Sequence, residues 1–158
     1  MILARRYNEA IDQAKHTLTI DQNFWYGYYI EAMARELEGK PDAAIAPAQK
    51  AVDLFPSPIT KGRLATVLAK AGQRPAAKKL LDELIADSAR TYVQGYYLAT
   101  AQLALGDKDA ALASLERDLR ERGIYMQWMA VNPEFDPLKD DPRFEDLRKR
   151  MASMRLDS

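Results

Sequence analysis

Three glycines recur along this chain at nearly equal intervals, Gly39, Gly72 and Gly106, so that 72 − 39 = 33 and 106 − 72 = 34 residues separate them. Each closes a helix-periodic run, in LEGKPDAAI, KAGQRPAAKKL and ALGDKDAALASL. A helix commonly ends on a residue at positive φ, a conformation that glycine adopts without a β-carbon clash. Just beyond lie Pro41 and Pro75, suited to a first helical turn where the amide hydrogen has no partner, and Asp107, a good N-cap. Every one of these glycines therefore marks a helix-turn-helix junction, and the fixed period predicts an all-α chain built from stacked copies of one helix pair.

Alanines carry the same period. Five residues after each glycine stands Ala44, Ala77 or Ala111, and Ala10 precedes them at the same spacing. From each, the positions at +4 and +7 continue one helical face: Ala14 and Thr17, Ala48 and Ala51, Leu81 and Leu84, Leu115 and the ill-fitting Asp118. Seven residues before the glycines stand Ala32, Ala65 and Ala99, small residues placed to face those alanines where two helices of a hairpin cross closely. Glu31 and Arg35 occupy a stretch of the first full pair where apolar residues are the rule, and their spacing suits a salt bridge across one turn. The triplets Gly27-Tyr28-Tyr29 and Gly95-Tyr96-Tyr97 add a tempting match 68 residues apart, but they stand one residue out of register with the turn glycines.

These features resemble the tetratricopeptide repeat (TPR), a 34-residue helix-turn-helix unit. LATVLAKAGQRPAAKKLLDEL and LATAQLALGDKDAALASLERDL carry its leucine-small pair, its glycine turn and its A-x3-L step, and Pro56 is the single copy of its helix-ending proline. The resemblance implies an α-solenoid forming one domain. It begins with a half repeat over 4–22 that holds a second helix only, continues in repeats over 24–56, 57–89 and 90–122, and ends in a capping tail over 123–158. In such arrays the first helices line a concave surface that binds a peptide or helix of a partner protein. Carried over by position, that groove includes Tyr26, Tyr29, Met33, Arg63, Thr66, Lys70, Tyr96, Tyr97 and Thr100, an aromatic surface with a basic centre suited to an acidic-apolar segment. The asparagines of a chaperone-binding carboxylate clamp are missing from the inner helices.

After Gly123 the period is lost. Asn132-Pro133 and Asp136-Pro137 read as turns, Asp141-Pro142 as an N-cap and first helical residue, and Phe144, Leu147 and Met151 as one face of a last helix. A repeat array exposes an apolar end, so Trp128, Phe135 and Leu138 are expected to fill it. The pattern W-x4-P-x-F-D-P-L-x2-D-P-R-F is also similar to the ends of repeat domains found at the carboxyl end of bacterial signalling proteins, behind winged-helix, kinase or nucleotide-cyclase modules, none of which is in these residues. At the other end, the half repeat leaves Tyr7, Ile11 and Ala14 without a first helix to cover them. That predicts coverage by a second copy, by upstream sequence or by a partner.

Composition narrows the function classes. Lys and Arg together number 23, as do Asp and Glu, so no net field draws the chain to nucleic acid. Without cysteine there is no disulfide, thiolate metal site or cysteine nucleophile. His16, the only histidine, falls on an outward position of a second helix, and no Walker loop, H-E-x-x-H, dinucleotide or calcium motif occurs. The apolar run in MILARRYNEA is too short for a signal-peptide core, and no stretch approaches the roughly 18 apolar residues of a membrane span. The sequence thus predicts a cytoplasmic, non-catalytic module with no cofactor or metal, whose partner is a protein or peptide. A self-associating or regulatory domain of a larger bacterial signalling protein is the alternative.

Overall fold

Helix boundaries in the computed structural model, which describes residues 1–156, follow the local chemistry of the chain. The elements run α1 (Tyr7–Ile20), α2 (Trp25–Leu37), α3 (Pro41–Leu54), α4 (Pro58–Lys70), α5 (Arg74–Asp87), α6 (Gly95–Ala104) and α7 (Lys108–Arg120). Two 3-10 turns, Met126–Trp128 and Pro133–Leu138, then lead to α8 (Pro142–Leu156). The described residues are all-helical and contain no strand, and no helix among them is long and apolar enough to cross a membrane.

The three turn glycines close their helices in one way. Gly39, Gly72 and Gly106 have φ of +86°, +79° and +84°. The amide of the residue after each reaches back five residues, from Lys40 to the Arg35 carbonyl, Gln73 to Leu68 and Asp107 to Gln102, all at 2.9 Å. This closure satisfies carbonyls that the helix end would leave open. The next helix is primed at once: Pro41 opens α3, and the Asp107 carboxylate accepts the Ala110 amide hydrogen at 2.9 Å. In the tail, Asn132 and Asp141 accept from the amides of Glu134 and Arg143 at 3.1 and 2.9 Å.

Two of the three alanine pairs share a core cluster as the period predicts, and in the middle pair Ala65 packs with leucines of α5 in place of Ala77. Ala32 packs with Ala44 and Ala48 between α2 and α3, Ala65 with Leu81 and Leu84 between α4 and α5, and Ala99 with Ala111 and Leu115 between α6 and α7. Successive pairs are joined both through their first helices, α2 to α4 and α4 to α6, and through each second helix to the next first helix, α3 to α4 and α5 to α6. Arg35 and Glu31 form the one-turn salt bridge at 2.7 Å. The third pair is less regular than its 90–122 boundary suggests, because residues 88–94 form an irregular connection and α6 has only 10 residues.

Asp118, the misfit of the alanine pattern, has a role that explains it. Fully buried on α7, its carboxylate accepts from the Gly95 amide (3.0 Å), the Tyr96 amide (3.3 Å) and the Tyr92 hydroxyl (3.0 Å). It thereby caps α6, whose own N-cap residue Gln94 offers no side-chain bond. The approach leaves no room at Gly95, where a β-carbon would lie 2.0 Å from the Ser114 carbonyl oxygen. Gly27, its counterpart in the first Gly-Tyr-Tyr triplet, meets the Leu18 side chain instead, so the two triplets are not equivalent.

The tail does more than close the end of the stack. From α7 it crosses the inner side of α6 and α4 and reaches the amino-terminal turn, where Asp136 and Arg5 pair at 2.6 Å. Then α8 returns to α7, burying Phe144 and Leu147 against Leu112, Leu115 and Leu119. Phe135 and Leu138 are buried as expected, but Trp128 is not: it is 43% exposed, because its turn sends Met126 and Met129 inward instead. We expect Gly95→Ala to cost about 3 kcal/mol, lowering the melting temperature by roughly 6–12 °C. Gly72→Ala meets no neighbour and carries only the positive-φ penalty, about 1 kcal/mol.

Candidate functional site

The nine inner-face residues singled out in the sequence do come together, but under a cover. Tyr29, Met33, Arg63, Thr66, Tyr96, Tyr97 and Thr100 are buried, and only Tyr26 and Lys70 are exposed. Tyr29, Arg63 and Tyr97 stand 34 residues apart in sequence, as do Thr66 and Thr100, and Tyr29 touches Arg63 as Thr66 touches Thr100. Arg63 Nη2 donates to the Tyr29 hydroxyl at 3.4 Å, and its guanidinium lies 5.1 Å from the Tyr29 ring centre. Thr66 Oγ1 donates to Thr100 Oγ1 at 3.2 Å.

The cover is the tail segment 132–138. Glu134 receives Arg63 in a two-pronged pair, Nη1 to Oε1 at 2.6 Å and Nη2 to Oε2 at 2.9 Å. Asn132 donates to the Tyr96 hydroxyl at 2.6 Å and to Glu134 Oε2 at 3.0 Å. Phe135 packs edge-on to Tyr96, with ring centres 5.2 Å apart, and Tyr125 lies against Tyr97 at 5.1 Å. The acidic and apolar side chains that meet Arg63 and Tyr96 are thus Glu134 and Phe135 of the same chain.

One charge in this cluster is poorly matched. Glu36 on α2 also faces Arg63, its Oε2 lying 3.5 Å from Nη1, and its Oε1 lies 3.5 Å from Lys70 Nζ. The Arg63 contact does not give Oε2 a hydrogen bond, so this buried oxygen has no partner. Burial, then the neighbouring Glu134 charge, push the Glu36 carboxyl up to about 7, against the downward pull of Arg63 and Lys70. Burial pushes Glu134 up as well, but its two bonds to Arg63 outweigh that and hold it below the usual carboxylate range. Burial likewise raises the phenols of Tyr29, Tyr96 and Tyr97. Glu36 and Glu134 escaped the sequence reading, since neither stands on the 34-residue ladder through Tyr29, Arg63 and Tyr97.

A second feature stays open to solvent. Between α1, α2 and the amino-terminal turn lies an apolar groove of about 410 Å³, lined by Ile2, Ala10, Ala14, Thr17, Phe24 and Tyr26, among others. Phe24 and Tyr26 are 39% and 44% exposed on its rim. They belong to an aromatic cluster in which Trp25 stacks on Phe55 at 4.7 Å and Tyr26 on Tyr29 at 5.6 Å. Of the three residues expected to be uncovered at this end, Ile11 and Ala14 are instead buried, Ile11 packing beside Ala34 of α2, and Tyr7 is half-buried against them.

His16 is exposed on α1. Among the described residues, no three His, Asp or Glu side chains converge in a way that could hold a metal ion. No family model, curated protein or solved structure matches the chain.

The shared guanidinium predicts unequal mutant effects. Arg63→Met strands two buried carboxylates and should cost about 3–5 kcal/mol of folding stability. Glu134→Gln should cost about half that or less, because Glu36 remains beside Arg63 as a counter-ion. Urea unfolding of both variants reads the difference.

Proposed function

We propose that the chain is a non-catalytic protein-protein interaction module, a TPR-like α-solenoid of three helix pairs with a leading half pair, and that a helix or peptide of its partner docks in the groove between α1 and α2. The observation that carries this reading is the groove with its exposed aromatic rim. Phe24 and Tyr26 offer large contact areas at low entropic cost at the mouth of an apolar cleft, the arrangement in which binding energy concentrates. The internal repeat suggests the shape of the occupant. In each pair a second helix packs its alanines against a first helix, as α3 does with Ala44 against Ala32, and the buried Ala10 and Ala14 form the floor of the groove beside α1, so an occupant helix would lie along small side chains there.

The concave face, where the family resemblance places a peptide, is reachable by a partner only if residues 132–138 leave it. A self-associating variant of the same reading has a second copy of the chain in the α1–α2 groove. The similarity of the tail to the carboxyl ends of bacterial signalling proteins supports a regulatory setting for either form of docking.

Helical peptides selected by display against the whole chain test the groove. We expect Tyr26→Glu and Thr17→Arg each to weaken such peptides at least tenfold, with Lys79→Glu on α5 as a neutral control. Peptides that bind all three variants alike would sink the assignment. Light scattering of the peptide-free chain separates the two occupants, since a dimer split by Thr17→Arg would identify the second copy.

A further inference from the structure

Two buried carboxylates and one guanidinium meet where the tail is fastened to the repeats, and the set is one positive charge short unless Lys70 is counted. Lys70 is a poor substitute, because its side chain is 46% exposed and its ammonium is 3.5 Å from Glu36. The side chains of Arg63, Glu36 and Glu134 are by contrast only 2%, 1% and 3% exposed. Glu36 is faced by Arg63 and Lys70 of α4, by Glu134 of the tail and, at longer range, by Tyr7 of α1. No α3 group is among the charges that move it. The cheapest closed arrangement keeps a proton on Glu36, so that Arg63 belongs to Glu134 alone.

We propose that Glu36 is a proton-operated control on the tail: protonated, it lets Glu134 hold Arg63 and close the inner face; ionised, it competes for Arg63 and repels Glu134, releasing residues 132–138 and uncovering Tyr29, Arg63 and Tyr96. This goes beyond the docking reading and does not depend on it, since it concerns closure of the inner face whichever surface takes the partner.

The sign follows from proton linkage. With the tail closed, Glu36 titrates at about 7; with the tail away, the carboxyl regains water and Arg63 and returns toward the ordinary carboxylate range or below. The open form therefore loses its proton first, and opening becomes easier as pH rises between those two values. With about 4.5 for the open form, the opening constant grows roughly thirtyfold from pH 5.5 to pH 8.5.

Hydrogen exchange of the full chain, read by mass spectrometry or NMR at tail amides 126–138 and divided by the intrinsic rate at each pH, measures that constant. We expect the roughly thirtyfold rise in the wild type and a flat profile for Glu36→Gln, which keeps the shape of the side chain and cannot ionise. Lys70→Met removes a cation that favours ionised Glu36, so the rise should begin at higher pH; a merely structural lysine would not move that midpoint. Tail amides should also open more readily than α4 amides at every pH, since the tail leaves a folded body. A flat wild-type profile, a Glu36→Gln profile as steep as the wild type, or equal protection of the tail and α4 would each overturn the proposal.

Discussion

A guanidinium buried in the middle of a helical stack is the constraint around which this structure is arranged. Arg63 has almost no contact with solvent, and an uncompensated charge there would cost far more than any single packing contact returns. None of the helix pairs supplies a good counter-ion: Glu36 is near but poorly aligned, and Tyr29 offers a ring face and a long hydroxyl contact. Glu134 completes the charge from outside the repeats. The path of the tail across the inner face is thus a condition for placing an arginine there at all.

Closure of the inner face redistributes what the surface can do. The tyrosines that look like a binding surface along the sequence, Tyr29, Tyr96 and Tyr97, act as packing and hydrogen-bonding partners for Asn132, Phe135 and Tyr125. Tyr92 and Trp128 are exposed singly, whereas at the amino-terminal edge exposed Phe24 and Tyr26 stand together on the rim of a groove floored by small residues. The same fastening gives the tail a titratable component. Its anchor carries two carboxylates of unlike character, Glu134 held ionised by two bonds to Arg63 and Glu36 left with an orphaned oxygen. Two like groups whose surroundings drive them apart in this way couple tail closure to solution pH.

Much of the architecture was legible beforehand, and for a physical reason. Glycine at a helix end and alanine at a helix crossing answer to local requirements, positive φ and close backbone approach, that hold in every copy of the unit. Gly39, Gly72 and Gly106 adopt the same closure, and Ala32 and Ala99 meet Ala44 and Ala111, the partners their spacing gives them. Asp118 was visible only as a misfit, because its role as a cap depends on a helix that begins 23 residues earlier in the chain. Trp128 was expected to fill the apolar end of the array, yet a 3-10 turn presents its neighbours Met126 and Met129 inward. Seven of the nine inner-face residues expected to line a groove are buried, since nothing periodic in the sequence says where an aperiodic tail lies.

The sequence by itself determined the helix pairs, their turns, their order and the small residues at their crossings, because each depends on contacts within about one 34-residue unit. Only the tertiary structure decided that the tail runs across α6 and α4, that Arg63 finds Glu134 71 residues away, and that Glu36 is left sharing that arginine. Those outcomes depend on matching buried charge across the whole stack. Burial is a property of the assembled body, and no local pattern of residues encodes it.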